Sequence, residues 1–192
     1  MPRTRPTARP RYAAPAAATA LAALALAAAL PLAGQHEGHD QHASPYAGQM
    51  SGEVPSLSDQ ELADLRAGAG MGLARPAELN QFPGPKHVRE LASELSLNEA
   101  QLARVADIEA AMKTAAISLG EKLIEAERHL NDRFRHGHID EESLEAATRE
   151  IADLQGRLRF VHLKAHLETT RILTPEQIER YDRLRGYSDP GR

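Results

Sequence analysis

The chain has 192 residues, a formal charge of −4, no cysteine, no tryptophan, three phenylalanines and four tyrosines. The lack of cysteine excludes disulfide scaffolds, thiol catalysis and cysteine-ligated zinc. Beyond residue 36 the chain carries 19 basic and 27 acidic side chains, which argues against nucleic acid as a partner. Few large aromatics together with abundant Ala, Leu and Glu favour layers of packed helices.

The first 34 residues have the layout of a secretory signal peptide. Residues 1–12 are basic and proline-rich, and an uncharged run of Ala and Leu follows from Ala13 to Ala33. A transmembrane anchor is the alternative, because the run is about as long as a bilayer core is thick. Alanine contributes little transfer energy and small residues cluster at the end of the run, which favours cleavage near Ala33 or Gly34. We therefore expect a periplasmic protein with no stable membrane anchor.

Residues 35–57 are predicted to form a disordered, histidine-rich tail, because they contain almost no aliphatic side chains. His36, His39 and His42 recur there at intervals of three. Imidazoles at this density can bind Zn(II), Cu(II) or Ni(II). A solvated polar tail without a ligand is the alternative.

Residues 58–84 are predicted to form a short helix and a Gly/Pro-rich linker. Ser58 and Glu61 have the spacing of a capping box, and glycines follow at positions 68, 70 and 72. Pro85 suits the first position of the next helix. The helical domain is predicted to span residues 85–187, and residues 188–192 form a C-terminal tail.

Two long amphipathic helices dominate the predicted domain. Apolar residues recur at steps of three and four from Leu102 to Phe134, which predicts a helix of about 35 residues. Gly137 breaks this pattern, Asp140 can cap a second helix, and the second stripe begins at Leu144. The predicted fold is all-α, a long antiparallel hairpin flanked by short helices. No stretch alternates with period two, so we expect no sheet.

Each long helix also carries apolar residues away from its main stripe. At 100° per residue, these residues fall about 100° or more from the stripes; they are Ile117, Ile124, Phe160, Leu163 and Leu167. A lone hairpin buries only one face. The other face is expected to meet the flanking short helices, the second subunit of a homodimer or a bound client.

Two segments of the chain share one capping pattern. In each, a polar residue caps a helix, a glutamine three positions later reaches back to the amide of the cap, and a leucine precedes the cap. The residues are Leu97, Asn98 and Gln101 in the first copy, and Leu173, Thr174 and Gln177 in the second.

These two motifs, which bracket a long helical hairpin, resemble the repeated Leu-Thr-x-x-Gln motif of the Spy/CpxP family of periplasmic proteins. The resemblance covers residues 85–187, with Asn98 in place of threonine. It implies a cradle-shaped homodimer that acts in envelope stress as an ATP-independent holdase for unfolded envelope proteins. The resemblance also implies two further roles. The protein could bind the periplasmic domain of a membrane sensor, or it could respond to metal ions as the ZraP-like and CnrX-like members of the family do.

His162 and His166 are separated by one helical turn, so both rings can reach one ion. A third ligand would have to come from Glu168, another helix or a dimer mate. Histidines at the boundary of the apolar stripe are the simpler interpretation. His136 and His138 flank Gly137, where they serve as caps or as a weak surface site. The isolated His87 and His129 are assigned no role.

No catalytic motif is found in the sequence. The chain lacks H-E-x-x-H, G-x-S-x-G and a phosphate-binding glycine loop. We therefore expect a binding protein that needs no cofactor and holds unfolded clients, metal ions or both. The alternative is a heavy-metal sensor or resistance protein that binds Zn, Cu or Ni through histidines.

Overall fold

The structure is a computed structural model that describes residues 44–187. The predicted leader, the tail histidines His36, His39 and His42, and residues 188–192 lie outside the described residues. The described part contains helices and no strands, which confirms the all-α prediction. Its helices are α1 (Asp59–Ala67), α2 (Arg75–Glu78), α3 (Pro85–Glu90), α4 (Glu99–Arg135), α5 (Glu141–Thr170) and α6 (Pro175–Arg185). None of them is long and apolar enough to span a bilayer.

The long hairpin is formed by α4 and α5, with 37 and 30 residues respectively. The two helices pack along each other. Gly137, in the left-handed region at φ 66°, allows the sharp turn between them. The Asp140 side chain then accepts a hydrogen bond of 2.9 Å from the amide of Ser143, as its predicted capping role requires.

The short helix α1 lies against α4 at very close range. A β-carbon built at Gly120 of α4 would lie 2.4 Å from the carbonyl oxygen of Leu65, so only glycine permits this approach. The predicted capping box of Ser58 and Glu61 starts α1, and Gly68 ends it in the left-handed conformation. This helix covers part of the second apolar face of α4.

The main core fills the space between α1, α4 and α5. It includes Val54 and the half-buried Leu57, both from the segment expected to be a tail. Val54 is fully buried, so the packed part of the chain begins ahead of Ser58. The buried residues of the main core are Val54, Leu62, Leu65, Ala116, Leu119, Leu123, Ile124, Ala126, Ile151, Leu154 and Leu158.

A second core cluster joins α3, the start of α4 and α6. Its buried members are Val88, Leu95, Val105, Leu173 and Tyr181, with Leu97 and Ile178 packed against them. Both glutamine motifs border this cluster, and both capping boxes are complete. The motifs therefore fix the start of α4 and the start of α6 at one end of the hairpin.

Candidate metal-binding cleft

Two histidines of α5 lie in the interior of the domain. His162 is 3% exposed and His166 is 9% exposed. Both line a cleft of about 830 Å³. Its other walls include α3, α4 and the loop that follows α1. The sequence placed these residues at the edge of the apolar stripe; they are buried because α2 and α3 pack against α5.

His162 has a buried nitrogen without a hydrogen bond. Its Nε2 atom finds no partner among the described residues. Burial lowers the pKa of His162, and the nearby His166 lowers it further, so the ring is neutral at pH 7. Leaving a buried polar atom unpaired costs free energy, which makes this nitrogen the first candidate for a ligand contact.

His166 is held in one orientation by the chain before α3. Its Nδ1 lies 2.7 Å from the carbonyl oxygen of Phe82. Because a carbonyl only accepts, Nδ1 carries the hydrogen, which leaves Nε2 as the ring nitrogen that can contact a ligand. A carbonyl on the far nitrogen is the usual support of a metal-binding imidazole. A β-carbon at Gly84 would lie 3.0 Å from Nε2, so glycine makes room for the ring.

His87, to which the sequence assigned no role, lies on the α3 wall of the same cleft. Its Nδ1 is 2.8 Å from Oε2 of Glu90, and this contact lowers the pKa of the Glu90 carboxyl. No local pattern marked His87, because its proximity to α5 depends on how α3 packs against the hairpin.

Glu78 connects the cleft to α6. Its Oε2 atom is 3.6 Å from Nδ1 of His166. Its Oε1 atom accepts hydrogen bonds from the hydroxyls of Tyr181 and Tyr187 and lies 3.7 Å from Nε of Arg185. Burial, reinforced by the hydrogen bond to Glu78, raises the pKa of Tyr181. This carboxylate is therefore already committed to several donors.

A third ligand with an oxygen or imidazole donor is not in place. Within residues 44–187, no three or more His, Asp or Glu side chains are arranged to hold an ion. Glu168, one of the expected sources, forms an ion pair with Lys164. The histidine pair thus offers two nitrogen donors.

The two glutamine motifs identify the family to which the chain belongs. The side-chain amides of Gln101 and Gln177 contact each other, and a family model described as LTXXQ motif family protein matches residues 84–185. The chain belongs to the LTXXQ motif family. This is the motif family of Spy/CpxP-type proteins, as the sequence predicted. No curated protein and no solved structure matches the chain significantly.

The LTXXQ match covers α3 to α6 and so includes His87, His162 and His166. The earlier part of the cleft, with Glu78 and the loop after α1, lies outside the match. The cleft of this LTXXQ protein is therefore built partly from the matched residues and partly from the segment that precedes them.

Helix α1 covers one part of the predicted client or dimer surface, and another part stays exposed. Ile124 is buried in the main core, and Ile117 is half-buried, with its side chain next to Gly68. On α5, Phe160 is 63% exposed, Leu167 is 45% exposed, and Leu163 is half-buried. The outer face of α5 is thus the part of the predicted surface that the described residues leave uncovered.

The remaining described histidines lie at the surface. The rings of His136 and His138 are 6.2 Å apart at the hairpin tip, and both residues are exposed. His129 pairs with Glu125 along α4. Neither location resembles the buried setting of His162.

Proposed function

We propose that this LTXXQ protein is an exported, non-enzymatic metal-responsive protein that binds a transition-metal ion between His162 and His166. The observation that supports it is the buried, unpaired Nε2 of His162. One turn further along α5, the His166 ring has its Nδ1 fixed by Phe82. Two imidazoles on one helix face suit Zn(II), copper or Ni(II).

The His166 ring is oriented before any ion arrives. The backbone carbonyl of Phe82 sets its tautomer, and Gly84 leaves space beside it. Binding would therefore require little reorganisation of this nitrogen donor. Glu78 touches both His166 and the tyrosines of α6, so a change at the cleft has a direct route to α6.

Export to the periplasm is part of the same proposal. The proposed leader, residues 1–34, would be removed near Ala33 or Gly34. The tail histidines His36, His39 and His42 are proposed to collect ions at the protein surface. A chain without cysteine tolerates an oxidising compartment.

Calorimetric and thermal titrations with each ion test the proposal. We expect one equivalent of ion to bind tightly to a His36→Ala/His39→Ala/His42→Ala variant of the full chain and to raise its Tm. Adding His162→Ala should abolish this binding, whereas adding His129→Ala, an exposed control, should not. Circular dichroism checks that each variant is folded. Absence of binding in the tail variant, or binding that persists without His162, would contradict the proposal.

A second candidate function is the holding of unfolded envelope proteins on the outer face of α5. It is favoured by Phe160 and Leu167, two large apolar side chains exposed on one helix face. Exposed Arg157, Arg159 and Lys164 flank them, so clients could be held by mixed apolar and electrostatic contact without a nucleotide. The same face is the proposed homodimer interface, and a membrane sensor's periplasmic domain is the other partner proposed for it.

Aggregation assays distinguish these roles. If α5 holds clients, Phe160→Ser with Leu167→Ser should lose the suppression of client aggregation, while Leu184→Ser, an equally exposed control on α6, should retain it. Sedimentation shows whether a second copy covers the face. Wild-type protein that fails to suppress aggregation, with or without metal, would rule out client holding.

A further inference from the structure

Two methionines line the histidine cleft. The described residues contain three methionines, Met50, Met71 and Met112. Met71 comes from the loop after α1 and Met112 from α4, and both belong to the cleft lining with His162 and His166. Methionines and histidines from three different segments thus line one cavity.

Met71 has an unusual backbone conformation. Its φ is +46°, a left-handed conformation that costs a non-glycine residue about 1 kcal/mol or more. Its side chain is nevertheless 40% exposed, so core packing does not explain why methionine stands there between two glycines. Backbone strain of this kind often occurs at functional sites.

The charges around the cleft favour a singly charged ion over a doubly charged one. The charged lining residues are Arg75, Lys86, Arg89 and Lys113 against Glu78 and Glu109. Glu78 is committed to the tyrosines and Arg185, and Glu109 pairs with Arg89. Neither carboxylate is therefore free to bind an ion, and the surplus positive charge repels a monovalent cation half as strongly as a divalent one.

The donor atoms of the cleft restrict the choice of ion further. Hard ions such as Mg²⁺ and Mn²⁺ require oxygen donors, whereas thioethers select soft ions and imidazole suits Zn, Cu, Fe and Ni. Copper in the cuprous state is the ion that satisfies both donors and carries a single charge. The buried, unpaired Nε2 of His162 gives such an ion a nitrogen ligand away from water.

We propose that the cleft is a cuprous-ion site in which Met71 and Met112 determine specificity, with His162 and His166 supplying nitrogen. This inference rests on the proposed metal-binding function and adds the identity of the ion. Nothing in it requires oxidation or reduction by the protein, since the ion is bound in the reduced state.

Competition with a chromogenic Cu(I) chelator under anaerobic, reducing conditions tests the proposal. The background is the full chain carrying His36→Ala, His39→Ala and His42→Ala, which removes the tail ligands. We expect Met71→Leu and Met112→Leu each to weaken Cu(I) binding by about tenfold or more, as loss of a soft ligand should. Zn(II) affinity should not change, and Met50→Leu, an exposed control, should leave both affinities intact. X-ray absorption of the Cu(I) form should show sulfur in the coordination shell.

The outcomes separate the two proposals. If the background variant binds Zn(II) through His162 but the methionine variants leave Cu(I) affinity unchanged, the cuprous assignment is wrong and the metal-binding function stands. If it binds neither ion, the proposed function itself is wrong. Because Met71 is partly exposed, its replacement by leucine keeps the test valid even if Met112→Leu unfolds the chain.

Discussion

The side-chain amides of Gln101 and Gln177 hydrogen-bond to each other in both directions. Nε2 of Gln101 donates to Oε1 of Gln177 at 2.8 Å, and Nε2 of Gln177 donates to Oε1 of Gln101 at 3.3 Å. Each glutamine also caps its own helix. In addition, Nε2 of Gln101 donates to the carbonyl oxygen of Ile172, just before the second motif, and Nε2 of Gln177 donates to that of Leu95, just before the first. The two motifs therefore act as one unit that joins α4 to α6, which explains why the pattern occurs twice.

The glutamine pair should show strong energetic coupling. Gln101→Ala and Gln177→Ala should each lower the free energy of unfolding by about 1–2 kcal/mol, because each leaves partly buried partners unsatisfied. The double variant should cost less than the sum by at least about 0.5 kcal/mol. Urea denaturation measures all three, with the exposed Gln155→Ala as the control. Strictly additive effects would show that the amides act independently.

Two glycines in the long helices should respond oppositely to alanine. Gly120→Ala should destabilise the fold by about 2 kcal/mol or more, because its β-carbon would meet the Leu65 backbone at 2.4 Å. Gly156→Ala has open space around it and should stabilise the protein by about 0.5–1 kcal/mol through helix propensity. Thermal melts compare the two. A neutral or stabilising Gly120→Ala would mean that α1 does not lie this close to α4.

Tyr181 should matter more than Tyr187 for the attachment of α6. The Tyr181 hydroxyl is buried and donates to the Glu78 carboxylate. Its removal in Tyr181→Phe should lower the free energy of unfolding by about 2 kcal/mol, as for other hydrogen bonds to charged groups. Tyr187→Phe removes a longer, half-buried contact of 3.2 Å and should cost less. Equal effects in denaturant titrations would contradict the role of Tyr181 as the principal donor.

Asp182 should make stability depend on pH. Burial raises the pKa of its carboxyl, and the Glu78 charge raises it further; its Oδ1 lacks a partner within the described part of the chain. The folded state therefore favours the protonated form. This contribution is fully present below the ordinary value of 3.8 and is lost as pH rises through the raised pKa.

Asparagine mimics the protonated carboxyl, so Asp182→Asn should be more stable than wild type by about 1 kcal/mol at pH 7. The difference should disappear as the pH approaches 3.8. Urea unfolding across this range measures it. A gap that is independent of pH would place the origin of the effect elsewhere than in the charge of Asp182.

The sequence predicted the parts of the fold that depend on local signals. The caps at Ser58, Asn98, Asp140 and Thr174 are side-chain-to-backbone contacts within three residues, so each appears as a short pattern. The hairpin follows from the period of its apolar residues. By contrast α2 has four residues and no side-chain cap, and no local pattern predicted it or the position of Glu78.

The cleft was only half predictable for the same reason. His162 and His166 share a helix face, and that spacing is visible in the sequence. His87, Met71 and Met112 line the same cleft from three other segments, and their placement depends on how α1 and α3 dock on the hairpin. Periodicity likewise could not show that α1 covers Ile124 while Phe160 stays exposed, since both lie away from the main stripes.

The most direct test of metal binding is an anomalous-scattering map from crystals of the copper-loaded protein, recorded at the metal's absorption edge. We predict one strong peak within about 2.0–2.1 Å of Nε2 of both His162 and His166, the usual length of a metal–imidazole bond. A map whose peaks fall only at the hairpin tip, or that contains none at α5, would contradict the assignment of this cleft.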